Sequence, residues 1–307
     1  MKILVTGGTG MVGHAFKNIN SSHTFISVGS KDYDLCSMGE CQQMFLDHFP
    51  HAVIHLAAKV GGIKANMDYL GEFFLENILI NTNVLENARI FGVKKVVSLL
   101  STCVYPSEVK YPLTVDQIHN GPPHSSNYAY AHAKRMLDVQ SRAYRDQYGC
   151  NFITAIPNNL FGENDNFDLE NSHVIPAIIR KMYEAQTAGK DVVLWGDGTP
   201  LREFTYAKDI ARALVLLIEG YNDRSPVNIG NAEEMSIRDV AEKIAEKIGF
   251  TGNIIWKTDM PSGQYRKPSD NSEFKQFFEM EYTQFDEALT NTCEWFIINY
   301  PNVRGVG

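Results

Sequence analysis

The chain has 307 residues, 44% of them hydrophobic and 21% charged, a length that predicts about two domains with sizeable cores. A formal net charge of -8 gives no overall basic field for nucleic acid or an anionic membrane, so an anionic ligand needs a local cluster of cations. No apolar run reaches the ~20 residues of a spanning helix, "MKILVTGG" is too short for a secretory leader, and 5 scattered cysteines without CxxC spacing point to a reducing cytoplasm, with no disulfide framework and no zinc site.

Up to residue 160, β-branched runs alternate with longer helical patterns. "KILVTG", "TFISVGS", "AVIHLAA", "KKVVSLLS" and "NFITAIPNN" read as strands bounded by turn residues. Between them "MVGHAFKNI", "MGECQQMFLDHF", "FFLENILINTNVLENARIFG" and "YAHAKRMLDVQSRAYRDQYG" read as helices. This alternation predicts an α/β fold, a Rossmann-type doubly wound parallel sheet with ligands beyond the carboxyl ends of its strands. Further on, "HVIPAIIRKM" is helical, "DVVLWGDGTPLREF" holds a short strand and a turn, and "TYAKDIARALVLLIEG" is a helix. "SPVNIGN" is a strand and "SIRDVAEKIAEKIGF" an amphipathic helix with Ser236 as N-cap. The expected division is a dinucleotide-binding domain over 1–165, to which 203–232 returns, and a smaller discontinuous domain from 166–202 and 233–307.

"TGGTGMVG" places Gly7, Gly10 and Gly13 after the first strand and at the start of a helix, where a pyrophosphate can approach the backbone. At the end of the second strand, Ser30 and Lys31 suit a 2′-phosphate and favour NADP(H). Asp32 adjoins them, and Lys31 has a second reading as a solvated loop charge. "YAYAHAKRM" sets Tyr130 and Lys134 four apart on one helix face, where an ammonium is expected to lower the phenol's pKa. "LLSTCVYP" ends an apolar run in Ser101, Thr102 and Cys103. On a strand, Ser101 and Cys103 would face the same side; the thiol reads either as a small core hydrophobe or as half of an acid–base pair.

The glycine turn with Ser101, Tyr130 and Lys134 resembles the extended short-chain dehydrogenase/reductase family. More narrowly, "HLAAKVGGIKAN", "LSTCVYP", "IHNGPPH", "DNFDLENSHVIPAIIRK" and "VVLWGDGTPLREF" resemble its GDP-L-fucose synthase branch, from Met1 to about Tyr300. That resemblance implies a bifunctional 3,5-epimerase and NADPH-dependent 4-reductase acting on GDP-4-keto-6-deoxy-D-mannose. It implies Cys103 as the base and His173 as the acid of epimerisation, with Ser101 and Tyr130 polarising the C4 carbonyl. It also implies cofactor contacts from Met11, Val12, Leu56, Ala57, Ala58, Pro157, Asn158, Asn159, Leu160 and His173, and GDP contacts from Lys181, Trp195, Arg202 and Lys267. Thr9 stands where bacterial relatives carry an arginine in the glycine turn. Relatives pair the two long helices across a two-fold axis, which implies a homodimer. The rival readings are a nucleotide-sugar 4-epimerase, which has no reason for Cys103 with His173; a 4,6-dehydratase, which usually shows acidic residues after the serine position where Cys103 stands; and a dinucleotide-binding regulator without chemistry.

Overall fold

The computed structural model describes residues 1–259 and 265–306. The first part of the chain runs through β1 (Lys2–Thr6), α1 (Met11–Ala15), β2 (Thr24–Val28), α2 (Met38–His48) and β3 (Ala52–His55). It continues through α3 (Ile63–Asp68), α4 (Leu70–Ile90), β4 (Lys95–Leu99), α5 (Tyr128–Tyr148) and β5 (Phe152–Pro157). Next come β6 (Asn159–Phe161), α6 (Val174–Ala188), β7 (Val192–Trp195), β8 (Leu201–Tyr206), α7 (Ala207–Gly220) and β9 (Val227–Ile229). The chain ends with β10 (Glu234–Ser236), α8 (Ile237–Ile248), β11 (Ile254–Lys257), α9 (Ser272–Phe277) and α10 (Phe285–Asn299).

Six strands form one sheet in the order β2-β1-β3-β4-β5-β9, and every pairing in it is parallel. A parallel sheet is covered on both faces, which is why its strands are apolar throughout rather than alternating. Ile3 and Val5 point to a core with α1 and α7, while Leu4, between them, points to a second core with α2, α4 and α5. After β1 the chain moves to β2 on one side and then returns to β3 on the other. The gap between the ends of β1 and β3 is therefore the switch point where such sheets bind ligands.

A smaller lobe has two short sheets, β10-β8-β6 and β11-β7. Its own core joins Ile175, Ile179, Phe204, Val240, Ile244, Leu289 and Phe296. Ser236 caps α8 by accepting the Asp239 N–H. The helix α7 and the strand β9 lie on the large sheet, whereas β8 belongs to the small one and Phe274 of α9 packs back on the large-sheet core. No helix among the described residues is long and apolar enough to cross a membrane.

Candidate active site

The β1–α1 turn fits only glycine at three points, one of them Gly8, where a Cβ would meet Ser27 Cβ at 2.5 Å. Gly7 has φ +70, and a Cβ on it would meet the Ala57 amide nitrogen at 2.8 Å. A Cβ on Gly13 would meet Gly8 Cα at 2.5 Å. The Gly7 contact presses the turn against Leu56–Ala57, the segment leaving β3, and the Gly13 contact packs α1 against the turn itself. A Cβ on Gly10 would touch only the Gly7 carbonyl, at 3.3 Å, so that side of the turn is open. The N–H groups of Met11, Val12 and Gly13 are first-turn donors with no intrahelical partner. An open, donor-lined turn at the sheet's switch point fits a dinucleotide pyrophosphate. Ser30 and Lys31 are exposed just past β2. Asp32 is exposed beside them, with its carboxylate accepting the Gly29 N–H at 2.7 Å. Past β5, Asn158 is buried and holds Thr205 and Asn231, while Asn159 and Leu160 lie in β6.

One sequence expectation is corrected at the end of β4. The strand stops at Leu99, and Thr102–Val104 form a 3₁₀ turn with Ser101 as its N-cap, accepting the Cys103 N–H at 3.4 Å. Ser101 and Cys103 are thus related by a tight turn and not by strand alternation. Cys103 packs on a small cluster of Ala65 (α3), Phe73 (α4) and Tyr130 (α5), and Asn127 Nδ2 donates to its Sγ at 3.0 Å.

The Tyr130–Lys134 pair is also corrected in its electrostatics. Burial, reinforced by Cys103, holds the Tyr130 phenol well above its ordinary pKa, outweighing any help from the ammonium. Lys134 is 2% exposed, donates to the Leu99 carbonyl at 2.9 Å, and is pushed by burial down to about 8. Behind it, His55 Nδ1 lies 2.7 Å from Thr6 Oγ1 and its Nε2 lies 3.1 Å from Asn81 Oδ1. Burial, with Lys134 nearby, pushes His55 down to about 3, so the chain of polar groups behind the lysine stays neutral.

His173 is the N-cap of α6. The loop before it is tied to α3, where the Gly62 N–H donates to the Asn171 carbonyl at 3.1 Å. This is the helix whose Ala65 packs on Tyr130, so one element holds both. His173 is open to solvent yet densely surrounded by protein, as in a cleft, and desolvation lowers its pKa. Lys267 and Arg202 are half-buried, and burial lowers the pKa of each. Lys267 also feels Cys103, which favours its charge, and Arg202, which opposes it, so Lys267 lies between the thiol and the guanidinium in the electrostatics of the site. Trp195 is 57% exposed, with Lys181 Nζ 6.0 Å from its ring centroid, and both line a groove of about 530 Å³.

The sequence reading passed over Asn127, His55 and Asn81, which touch or back this cluster. Their partners lie 24, 49 and 26 residues away in the chain, too far for a local pattern to reveal.

Residues 3–230 match the model of the NAD dependent epimerase/dehydratase family. The chain belongs to this family. Among curated members, a GDP-L-fucose synthase of Dictyostelium discoideum is 43% identical over 98% of this chain and 97% of its own. A probable GDP-L-fucose synthase of Drosophila melanogaster is 39% identical over 99% of both. A GDP-L-fucose synthetase from Naegleria fowleri, solved bound to NADP, superposes with a TM-score of 0.94 at 42% identity, covering 99% of this chain and 96% of that one. The epimerase/dehydratase fold thus extends over both lobes, although the family model ends at residue 230.

Proposed function

We infer that this chain converts GDP-4-keto-6-deoxy-D-mannose to GDP-L-fucose, epimerising C3 and C5 and then reducing C4 with NADPH. The observation that carries this reading is the packing of Cys103 against Tyr130 at the mouth of a dinucleotide fold. Reduction alone has no need of a thiol there, whereas epimerisation beside a ketone needs a base and an acid.

The open glycine turn, Ser30 and Lys31 would hold the phosphates of NADPH, which would supply a hydride to C4. Leu56–Ala58 and Pro157–Leu160 would contact it, and Lys134 would hold the nicotinamide ribose. Arg202 and Lys267 meet the substrate diphosphate, and Trp195 with Lys181 completes the GDP site. Cys103 takes the proton from the carbon beside the ketone, and the resulting enolate oxygen accepts hydrogen bonds from Ser101 and Tyr130. His173 returns a proton to the opposite face; its lowered pKa makes its imidazolium the stronger acid. After hydride arrives, Tyr130 protonates the C4 oxygen, so a single oxyanion site serves both half-reactions.

The enzyme works in the cytoplasm as a homodimer. The 5 cysteines are all free, which suits a reducing compartment. Phe74, Leu75 and Ile90 on α4, and Met136, Val139 and Tyr148 on α5, are large apolar side chains left exposed. Pairing α4 and α5 with their copies covers these residues. Sedimentation at micromolar concentration is expected to give a species of twice the 34.5 kDa chain mass; a monomer would refute the pairing.

The functional reading itself is tested by incubation with the keto sugar and either nicotinamide cofactor. GDP-L-fucose is the expected product, with faster turnover of NADPH than of NADH because Lys31 attracts the 2′-phosphate. A product reduced at C4 without inversion at C3 and C5 would leave a simple reductase.

A further inference from the structure

Asn127 stands at the N-cap of α5, where an asparagine side chain ordinarily accepts a hydrogen bond from the second or third helical N–H. It makes no such bond. Its Nδ2 is aimed at Cys103 Sγ, 3.0 Å away, a close approach for an atom as large as sulfur. Its Oδ1 is buried without a hydrogen-bond partner. One side chain therefore forgoes both a cap and the satisfaction of its carbonyl. Each omission destabilises the fold, and such concessions gather at functional sites.

The donor has a use at the sulfur. A neutral thiol is a weak acceptor, whereas a thiolate accepts N–H groups readily, as charged acceptors do. The other groups facing Cys103 are the Tyr130 phenol on α5 and Lys267 from the segment after β11. The phenol is held in its neutral form by burial. The Asn127 backbone is itself fixed, ending a 3₁₀ turn and donating its N–H to the His124 carbonyl at 3.2 Å.

We propose that Asn127 is a positioning residue for proton transfer: its Nδ2–H holds the Cys103 sulfur in place as the thiolate, at the expense of the α5 cap. This deepens the reading of Cys103 as the base and rests on it. Two variants separate that role from capping. Asn127→Asp offers an oxygen to the α5 N–H groups but sets a carboxylate beside the sulfur. Asn127→Ala removes both the donor and any cap.

The measurement is peptide-resolved labelling of Cys103 by iodoacetamide across pH, which reads the thiolate fraction without any need for turnover. Thermal melting and deuterium exchange into the keto sugar are followed in parallel. In Asn127→Asp the labelling midpoint is expected to rise by about one pH unit or more, as like charge dictates, with no loss in Tm and a matching upward shift in the pH profile of exchange. In Asn127→Ala the midpoint rises less. Midpoints unchanged from wild type, whether or not Tm falls, would overturn the proposal and leave Asn127 a structural residue. Should one variant fail to fold, the midpoint in the other decides. Wild type without any exchange would instead defeat the functional reading, and the labelling midpoints would still decide what Asn127 does to the sulfur.

Discussion

Cys103→Ser is expected to abolish hydrogen exchange at the sugar while leaving the dinucleotide site intact. In deuterated water without NADPH, the wild type should wash deuterium into C3 and C5 of GDP-4-keto-6-deoxy-D-mannose. The serine variant should do so about 10²–10⁴-fold more slowly, the usual contribution of a positioned base. Serine keeps the size and the position on the 3₁₀ turn, but its hydroxyl does not ionise at neutral pH, and a neutral hydroxyl is a poor base toward carbon. NADPH affinity should stay within about twofold of wild type, because Gly7, Lys31 and Lys134 are untouched. Mass spectrometry of the recovered sugar gives the exchange rate directly. Full-rate exchange in Cys103→Ser would return the thiol to the small hydrophobe that packs on Ala65 and Phe73.

The sheet was legible because its signals are local and repeated. Each strand of the large sheet is an apolar run closed by a turn residue, and the helices between them are long enough for their periodicity to be read. The strands β6 and β10 have 3 residues each and carry no such pattern; they exist because β8 lies between them. The six-residue α3 is equally short, and its place depends on the Asn171 carbonyl, more than 100 residues away, which receives the Gly62 N–H. The helix α10 was within reach of periodicity, since Phe285, Leu289, Cys293 and Phe296 recur at helical spacing and are all buried.

The site was legible as a set of residue types and not as a geometry. Strand alternation put Ser101 and Cys103 together for a reason the chain does not use: the strand ends at Leu99 and a tight turn does the work. The i, i+4 spacing of Tyr130 and Lys134 carried no information on burial, which dominates the electrostatics of both. Asn127 could be read as a cap from its place before α5, but no sequence pattern tells that its side chain turns toward a thiol instead.

Tyr130→Phe is expected to invert the balance that Cys103→Ser creates. The phenol is held protonated by burial, so it serves as an acid across the whole working range. On the proposed roles, removing its hydroxyl takes away both the proton source for the C4 oxygen and one of two donors to the enolate. NADPH oxidation should fall about 10²–10⁴-fold. Exchange at C3 and C5 should survive, weakened by the loss of one oxyanion donor while Ser101 keeps the other, and by clearly less than reduction, which loses the donor and the proton source together. The ratio of exchange to NADPH oxidation therefore falls in the cysteine variant and rises in the tyrosine variant. Lys134 adds a signature in pH. Its pKa is pushed down to about 8, so the ammonium is complete below that pH and lost above it. On the role proposed for Lys134, NADPH oxidation by wild type should decline as pH rises through about 8, where its ammonium is neutralised. In Lys134→Met that limb should disappear along with most of the activity. Stopped-flow measurement of NADPH absorbance across pH, beside mass spectrometry of exchange, reads both quantities on one preparation. Equal losses of exchange and reduction in Tyr130→Phe would make Tyr130 a packing partner of Phe73, its ring 6.4 Å away, and the proton for C4 would have to come from another donor.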